Sequence, residues 1–172
     1  TGGLKNFQFV IDKARDAQDW NFFLMGEVMK AYTAGLLVDL YDKIPYSEAL
    51  GGASNLNPHF DNGDAVYADL IAGIDSAMAK DFSASTNSSP GTSDLIFSGD
   101  MDKWKRFANT MELKLYLRMV NVNETEAQAG IQKLYTNGAE FLQTDAGIFG
   151  FTDVPGQDNP LYEQNIRQLN TP

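Results

Sequence analysis

His59 is the only imidazole in the chain, and there is no cysteine. A serine nucleophile needs a general base within reach, and thiolate or imidazole metal sites need several ligands, so a lone histidine completes neither set. Placed between Pro58 and Phe60, His59 reads as a solvated loop residue. The serines crowded into residues 83–98 have no base beside them. Carboxylates are more plentiful. Asp39 with Asp42, and Asp100 with Asp102, are pairs that could flank a glycosidic bond, but helix capping and a solvated face describe them better. Asp145, Asp153 and Asp158 lie in an oxygen-rich tail where Ca2+ is conceivable, although their spacing is not that of an EF-hand. No other cofactor or metal is expected. Aromatic rings offer different chemistry, because a sugar presents C–H bonds to a ring face while Asn and Asp accept its hydroxyl hydrogens. Trp20, Tyr46, Phe60 and Tyr162 are the candidates for such contacts, with packing as the competing role for Trp20 and Tyr46 at helix ends. Trp104 falls on an apolar helical face and reads as core.

These side chains need a frame. The 172 residues are 43% hydrophobic and 21% charged, a composition suited to one folded domain. Twenty-three acidic against 13 basic residues give a net charge of −10, which disfavours nucleic acid and anionic lipid as partners. No run reaches the roughly eighteen apolar residues that mark a membrane-spanning helix. Without cysteine there is no disulfide framework, and the compartment stays open. Both ends read as cut, so a longer protein is expected.

Helical periodicity runs through most of the chain. Leu4, Phe7, Val10, Ile11 and Ala14 share a face and predict a first helix over 4–18. Asp19 can cap a second, carrying Phe22, Met25, Val28, Met29, Tyr32, Leu36, Leu37 and Leu40, which Pro45 must end by Lys43. A third is expected over 62–81 with Val66, Tyr67, Leu70, Ile71, Ile74 and Met78 inward. The fourth, about 102–122, places Trp104, Phe107, Ala108, Met111, Leu115 and Met119 on one face, widened by Leu113, Leu117 and Val120. Asn123 or Thr125 caps a fifth, with Ile131, Leu134 and Tyr135 inward and Asn137-Gly138 as its stop, so the fourth and fifth helices together fill 102–137. The tail, 145–172, is irregular, with a short strand suggested by Ile148, Phe149 and Phe151. Leu95-Ile96-Phe97 is either a short extended segment or a plug on the core.

Two connections, about 43–62 and 81–101, are longer than usual. The first holds one possible helical turn at Ser47-Glu48-Ala49-Leu50, and the second contains "SASTNSSPGTSD", residues 83–94, too poor in apolar surface to order itself and read as mobile. This picture implies that Leu36→Asp unfolds the domain and that deletion of 84–92 leaves it folded. The fold class is all-α: an α-α superhelix of tetratricopeptide-like helix pairs with long loops, although self-similarity at a fixed period is weak.

Four stretches in order, "DLYDKIPYSEAL", "GDAVYADLIAGIDSAM", "SGDMDKWKRFANTMELKLYLRM" and "DNPLY", resemble the SusD/RagB family of outer-membrane nutrient-binding lipoproteins, in its SusD-like branch. Pro45, Tyr46, Glu48 and Ala49 match a Pro-Tyr-x-Glu-Ala signature, and Trp104, Phe107, Ala108 and Asn109 a Trp-x-x-Phe-Ala-Asn helix. The resemblance implies a non-catalytic protein, lipid-anchored at the cell surface of the outer membrane through a segment outside this chain. It would capture glycan or a related nutrient for a SusC-type TonB-dependent transporter. Asp42-Lys43 departs from the Gly-Asp common in relatives, the lipidated cysteine is missing, and the chain is short for the family. A tetratricopeptide-like protein-interaction module and a helical-toroid glycosidase are the alternatives.

Overall fold

A computed structural model describes residues 3–49, 55–154 and 156–167. The main elements are α1 (Gly3–Ala17), α2 (Trp20–Tyr41), α3 (Gly63–Met78), α4 (Met101–Met119) and α5 (Glu124–Thr136), followed by the short α6 (Pro160–Tyr162), which runs into a π-helical turn, Glu163–Arg167. The fold is all-α, built of stacked helix pairs: α1 packs on α2, α2 on α3, α4 on α5, and α4 closes against both α2 and α3. Among the described residues the only β pairing is an isolated bridge between Ile44 and Asp61, so Ile148, Phe149 and Phe151 form no strand. None of the described helices is long and apolar enough to cross a membrane.

Local sequence sets the boundaries. The Asp19 carboxylate accepts from Phe22 N, Asp100 accepts from Asp102 N and Lys103 N, and Asn123 accepts from Glu126 N, each satisfying amides that the helix itself leaves bare. Gly138, at φ +68°, ends α5 as the Asn-Gly pair predicts. The core is continuous: Ile11 from α1, Phe23, Leu24 and Val28 from α2, Val66, Leu70 and Ile74 from α3, Trp104, Met111 and Leu115 from α4, and Leu134 from α5. Gly130 permits the closest approach of α5 to α4, because a Cβ there would lie 2.2 Å from the Tyr116 ring.

The face of α2 differs from expectation. This helix is apolar around most of its circumference, so periodicity could not fix which side meets the core. Phe23, Leu24, Val28, Ala31, Ala34 and Val38 are buried, whereas Tyr32, Leu36 and Leu40 are exposed. Leu36 is 44% exposed, and Leu36→Asp is therefore expected to cost about 1–2 kcal/mol in a thermal melt, from helix propensity and partial burial, without unfolding the domain. A loss above about 4 kcal/mol would return Leu36 to the core. Tyr135, 63% exposed, also faces out and leans on Phe141, their ring centroids 5.7 Å apart.

The 81–101 connection is ordered by polar contacts with the α1–α2 corner. Asn87 Nδ2 donates to Asp19 Oδ2 (2.6 Å), Ser85 Oγ donates to Asp19 Oδ1 (3.2 Å), Asn21 Nδ2 donates to the Asn87 carbonyl (2.9 Å), and Thr86 Oγ1 donates to the Ala17 carbonyl (2.5 Å). Its far end is a plug. Phe97 is buried edge-on against Trp104, at 5.3 Å between ring centroids. The buried Asp94 accepts from Trp104 Nε1 (2.7 Å), Ile96 N (2.9 Å) and Gly99 N (2.9 Å). Burial alone would raise this carboxyl's pKa; the Trp104 and backbone bonds hold it below the usual aspartate range.

Candidate functional site

The segment after α2 is where the sequence signature folds back on the frame. Pro45 lacks an N–H and turns the chain outward, while Ile44 pairs with Asp61 through N→O bonds of 3.3 and 2.9 Å. The Asp61 carboxylate then collects Tyr46 N (3.1 Å), Ser47 N (2.8 Å) and Ser47 Oγ (2.9 Å). Ser47–Ala49 turns, with Ala49 N donating to the Tyr46 carbonyl (3.3 Å); Leu50 lies outside the described residues.

His59 is solvent-exposed on its loop, as expected, and is partnered as well. Its Nδ1 lies 3.0 Å from Glu48 Oε1 and its Nε2 lies 2.9 Å from Asp61 Oδ1. Glu48 also accepts from His59 N (3.2 Å) and Asn55 Nδ2 (2.8 Å). The signature glutamate and the lone histidine thus close the 43–62 loop on Asp61. Bonds to Glu48, then its charge and Asp61, raise the imidazole's pKa. Hydrogen bonding from His59 N and Asn55 lowers the Glu48 carboxyl, and Ser47 leads the groups that bring Asp61 down to about 2.

Raised in the fold, the His59 contribution is complete below its unfolded pKa of about 6.5 and fades as pH climbs through the folded value; the lowered carboxylates contribute above about 4.5 and fade in acid. Neutral imidazole has one N–H and can donate to only one of the two carboxylates. The expected result is a His59 pKa above about 6.5 by NMR, with the protection factors of the Tyr46 and Ser47 amides, corrected for the intrinsic pH dependence of exchange, falling as pH rises through it. Titration below that value removes the clasp.

Tyr46 is partly buried against the core. Its hydroxyl donates to Asp69 Oδ2 (2.5 Å), and Lys30 Nζ sits 5.1 Å from the ring centroid. Burial, followed by the Asp69 bond, raises the phenol's pKa. Around it opens a cavity of about 550 Å3, lined by Gln8, Lys30, Tyr46, Ser47, Asp61 and Asp69 with Ala65 and Val66. Trp20 is also committed to packing, edge-on to Phe23 and under Lys80, whose Nζ lies 5.0 Å from its centroid. Lys80 and Lys30 mark separate places: Trp20 and Lys30 stand ten residues apart on α2, a rise of ~15 Å. Phe60 is 65% exposed on the same loop as His59 and Asp61, and Tyr162 is 42% exposed on α6, which packs on no other α-helix among the described residues.

The remaining sequence candidates have structural partners. Asp39 accepts from Tyr67 Oη (2.5 Å) and lies 3.5 Å from Arg118 Nε and 3.9 Å from Lys114 Nζ. Asp100 caps α4, and Asp102 faces Lys105 at 3.3 Å. Asn109 Nδ2 donates to the Glu140 carbonyl (2.8 Å), tying α4 to the chain after α5, while Phe107 packs edge-on against Phe97. Among the described residues no three His, Cys, Asp or Glu side chains converge as metal ligands, Asp145, Asp153 and Asp158 included. Sequence reasoning missed Asp61, Asp69 and Lys30, which carry no motif of their own and matter through where the fold brings them.

Asp42 has φ +61°, a region costly for a side chain. Asp42→Gly is expected to raise stability by roughly 0.5–1 kcal/mol, read as a higher melting temperature. A lower one would mean that the aspartate repays its backbone.

The SusD-like family profile described as "Starch-binding associating with outer membrane" matches residues 1–171. Among solved structures, a chitin-binding protein is 30% identical with a TM-score of 0.70, over 82% of this chain and 29% of that one. A chitin-binding SusD homolog from Flavobacterium johnsoniae is 24% identical with a TM-score of 0.73 (87% and 31%). A SusD homolog from Bacteroides uniformis is 20% identical with a TM-score of 0.74 (88% and 31%). At such identities the last two speak for the fold alone. No curated protein sequence matches. This chain spans about three-tenths of the length of these solved relatives. With its signature segment clasped on Asp61, its Trp104 helix in the core and the family profile matched over residues 1–171, the chain belongs to the SusD-like family.

Proposed function

We propose that this chain is the helical frame of a carbohydrate-binding protein of nutrient uptake, lipid-anchored at the outer-membrane surface. It holds glycan without cleaving it and passes it to a SusC-type TonB-dependent transporter. The family match over residues 1–171, whose description joins starch binding to the outer membrane, carries the reading. The 30% identical chitin-binding protein supports the same ligand class. Binding without turnover is supported by the engagement of the acid–base groups: His59 lies between Glu48 and Asp61, Asp39 serves Tyr67, and Asp100 caps a helix. We assign the stacking face to Phe60, the most exposed of the four aromatics, beside the polar clasp.

Calorimetric titration of the full-length protein against starch and chitin oligosaccharides, run beside a reducing-sugar assay, tests this. Saturable binding with no new reducing ends is expected, and Phe60→Ala should weaken it about tenfold with an unchanged melt, since one ring contact is worth on the order of 1 kcal/mol. Release of reducing sugar, or no binding across the panel, overturns the reading.

A further inference from the structure

A second cavity, about 490 Å3, opens between α3, α4, α5 and the turn at Asn137–Glu140. Its charged lining follows a simple pattern. The three bases each have an acid from the same lining: Lys133 Nζ holds both oxygens of Asp75 at 2.7 Å, Arg106 Nη2 meets Glu140 Oε2 at 2.9 Å, and Lys105 Nζ meets Asp102 Oδ1 at 3.3 Å. One acid is left over. Glu112, on the core-facing stripe of α4 between Ala108 and Leu115, is 3% exposed, lines the cavity, and makes no side-chain hydrogen bond to another described residue. A carboxyl set this deep with no protein donor and no bonded cation is uncommon in a folded protein, and its oxygens stay open to a space large enough for a small molecule.

From this arrangement we propose that the cavity is a receptor for a primary ammonium group on a small polar frame, with Glu112 as the counter-ion and Asn109, at the same wall, as a polar neighbour. One uncompensated carboxylate calls for one positive charge. It does not suit a divalent ion, which takes several oxygen ligands, and among the described residues no third metal-ligating side chain joins in. Lys133 cannot serve instead while both Asp75 oxygens hold it. The inference is independent of glycan binding at Phe60, and its site is separate from the Tyr46 cavity.

The groups around Glu112 fix how binding should couple to protons. Burial first, then the Asp75 charge on α3, push its pKa up to about 7, against the opposing pull of Lys133 on α5. Tyr116 on α4 is coupled to it as a raised, neutral phenol, and Asp102, Lys105, Arg106 and Glu140 complete the rim. An ammonium that stabilises the ionised carboxylate must lower that pKa, so binding below pH 7 should release a proton.

Glucosamine and glucose share a frame and differ in the amine, so they are the probes. Calorimetry on the full chain in potassium-containing buffer should show saturable glucosamine binding at least tenfold tighter than glucose, and carboxyl-detected NMR should show the Glu112 pKa falling on addition of glucosamine. Glu112→Gln, nearly isosteric, should keep the fold and weaken glucosamine at least tenfold. Equal affinity for the two sugars, no saturation by glucosamine, or unchanged affinity in the glutamine variant overturns the proposal and leaves Glu112 as a protonated core residue.

Discussion

Trp104→Ala is expected to cost this domain about 4–6 kcal/mol, counting the cavity left by the indole and the hydrogen bond lost by Asp94. The side chain is 1% exposed and touches both aromatic neighbours of the plug, Phe97 at 5.3 Å and Phe107 at 5.9 Å between ring centroids. Its Nε1 donates to a carboxylate that also orders Ile96, Phe97 and Gly99. Packing and polar order therefore fail together, because Asp94 keeps its burial while losing its side-chain donor. For a domain of this size the loss corresponds to a melting point lower by roughly 10–20 °C. Trp104→Phe separates the two contributions: it preserves most of the ring contact, removes the donor, and should cost about 2 kcal/mol. A fall of less than ~4 °C for the alanine variant would show that Trp104 does not hold the plug.

Deletion of residues 84–92, harmless on a sequence reading, is expected to destabilise the fold by about 2–4 kcal/mol, since buried polar groups lose their partners. Asp19 is 5% exposed and Asn21 is 7% exposed, and Ser85 and Asn87 supply contacts to both. Ser89 also reaches across to the Gly99 carbonyl. Water admitted by the deletion recovers part of the cost, which is why the figure stays below the sum of the individual losses. Asn87→Ala, which removes one donor to Asp19, should show a fraction of the same effect in denaturant titration. A deletion variant melting with the parent would restore the picture of an idle loop.

The contrast shows what a sequence can carry. Asp19, Pro45, Asp100, Asn123 and Gly138 act within a turn of where they stand, so their roles were legible. The main α4 stripe from Trp104 to Met119 was legible as well, because its polar side contrasts with its apolar side, but Leu117 and Val120, expected to widen it, face solvent. On α2 that contrast is missing, and Leu36 and Leu40 fell on the wrong face. The 83–94 segment is not the mobile loop that its composition predicts, because its order comes from polar partners more than sixty residues away, which no apolar count registers. His59 has no second imidazole to join it, and its clasp depends on Glu48 and Asp61 meeting across a folded loop. Glu112 left one clue, an acid in step with Ala108 and Leu115, but Lys105, Arg106 and Lys133 pass it by because acids on α4, in the turn after α5 and on α3 hold them.

Asp19 begins α2 and also receives Asn87, 68 residues later. On a ribosome, at roughly 5–20 residues per second, several seconds separate the emergence of the two. During that interval the first hairpin has its grease but not its lock. A chaperone or protease acting on the nascent chain would meet this corner open, and pausing translation just before Asn87 should prolong that vulnerability.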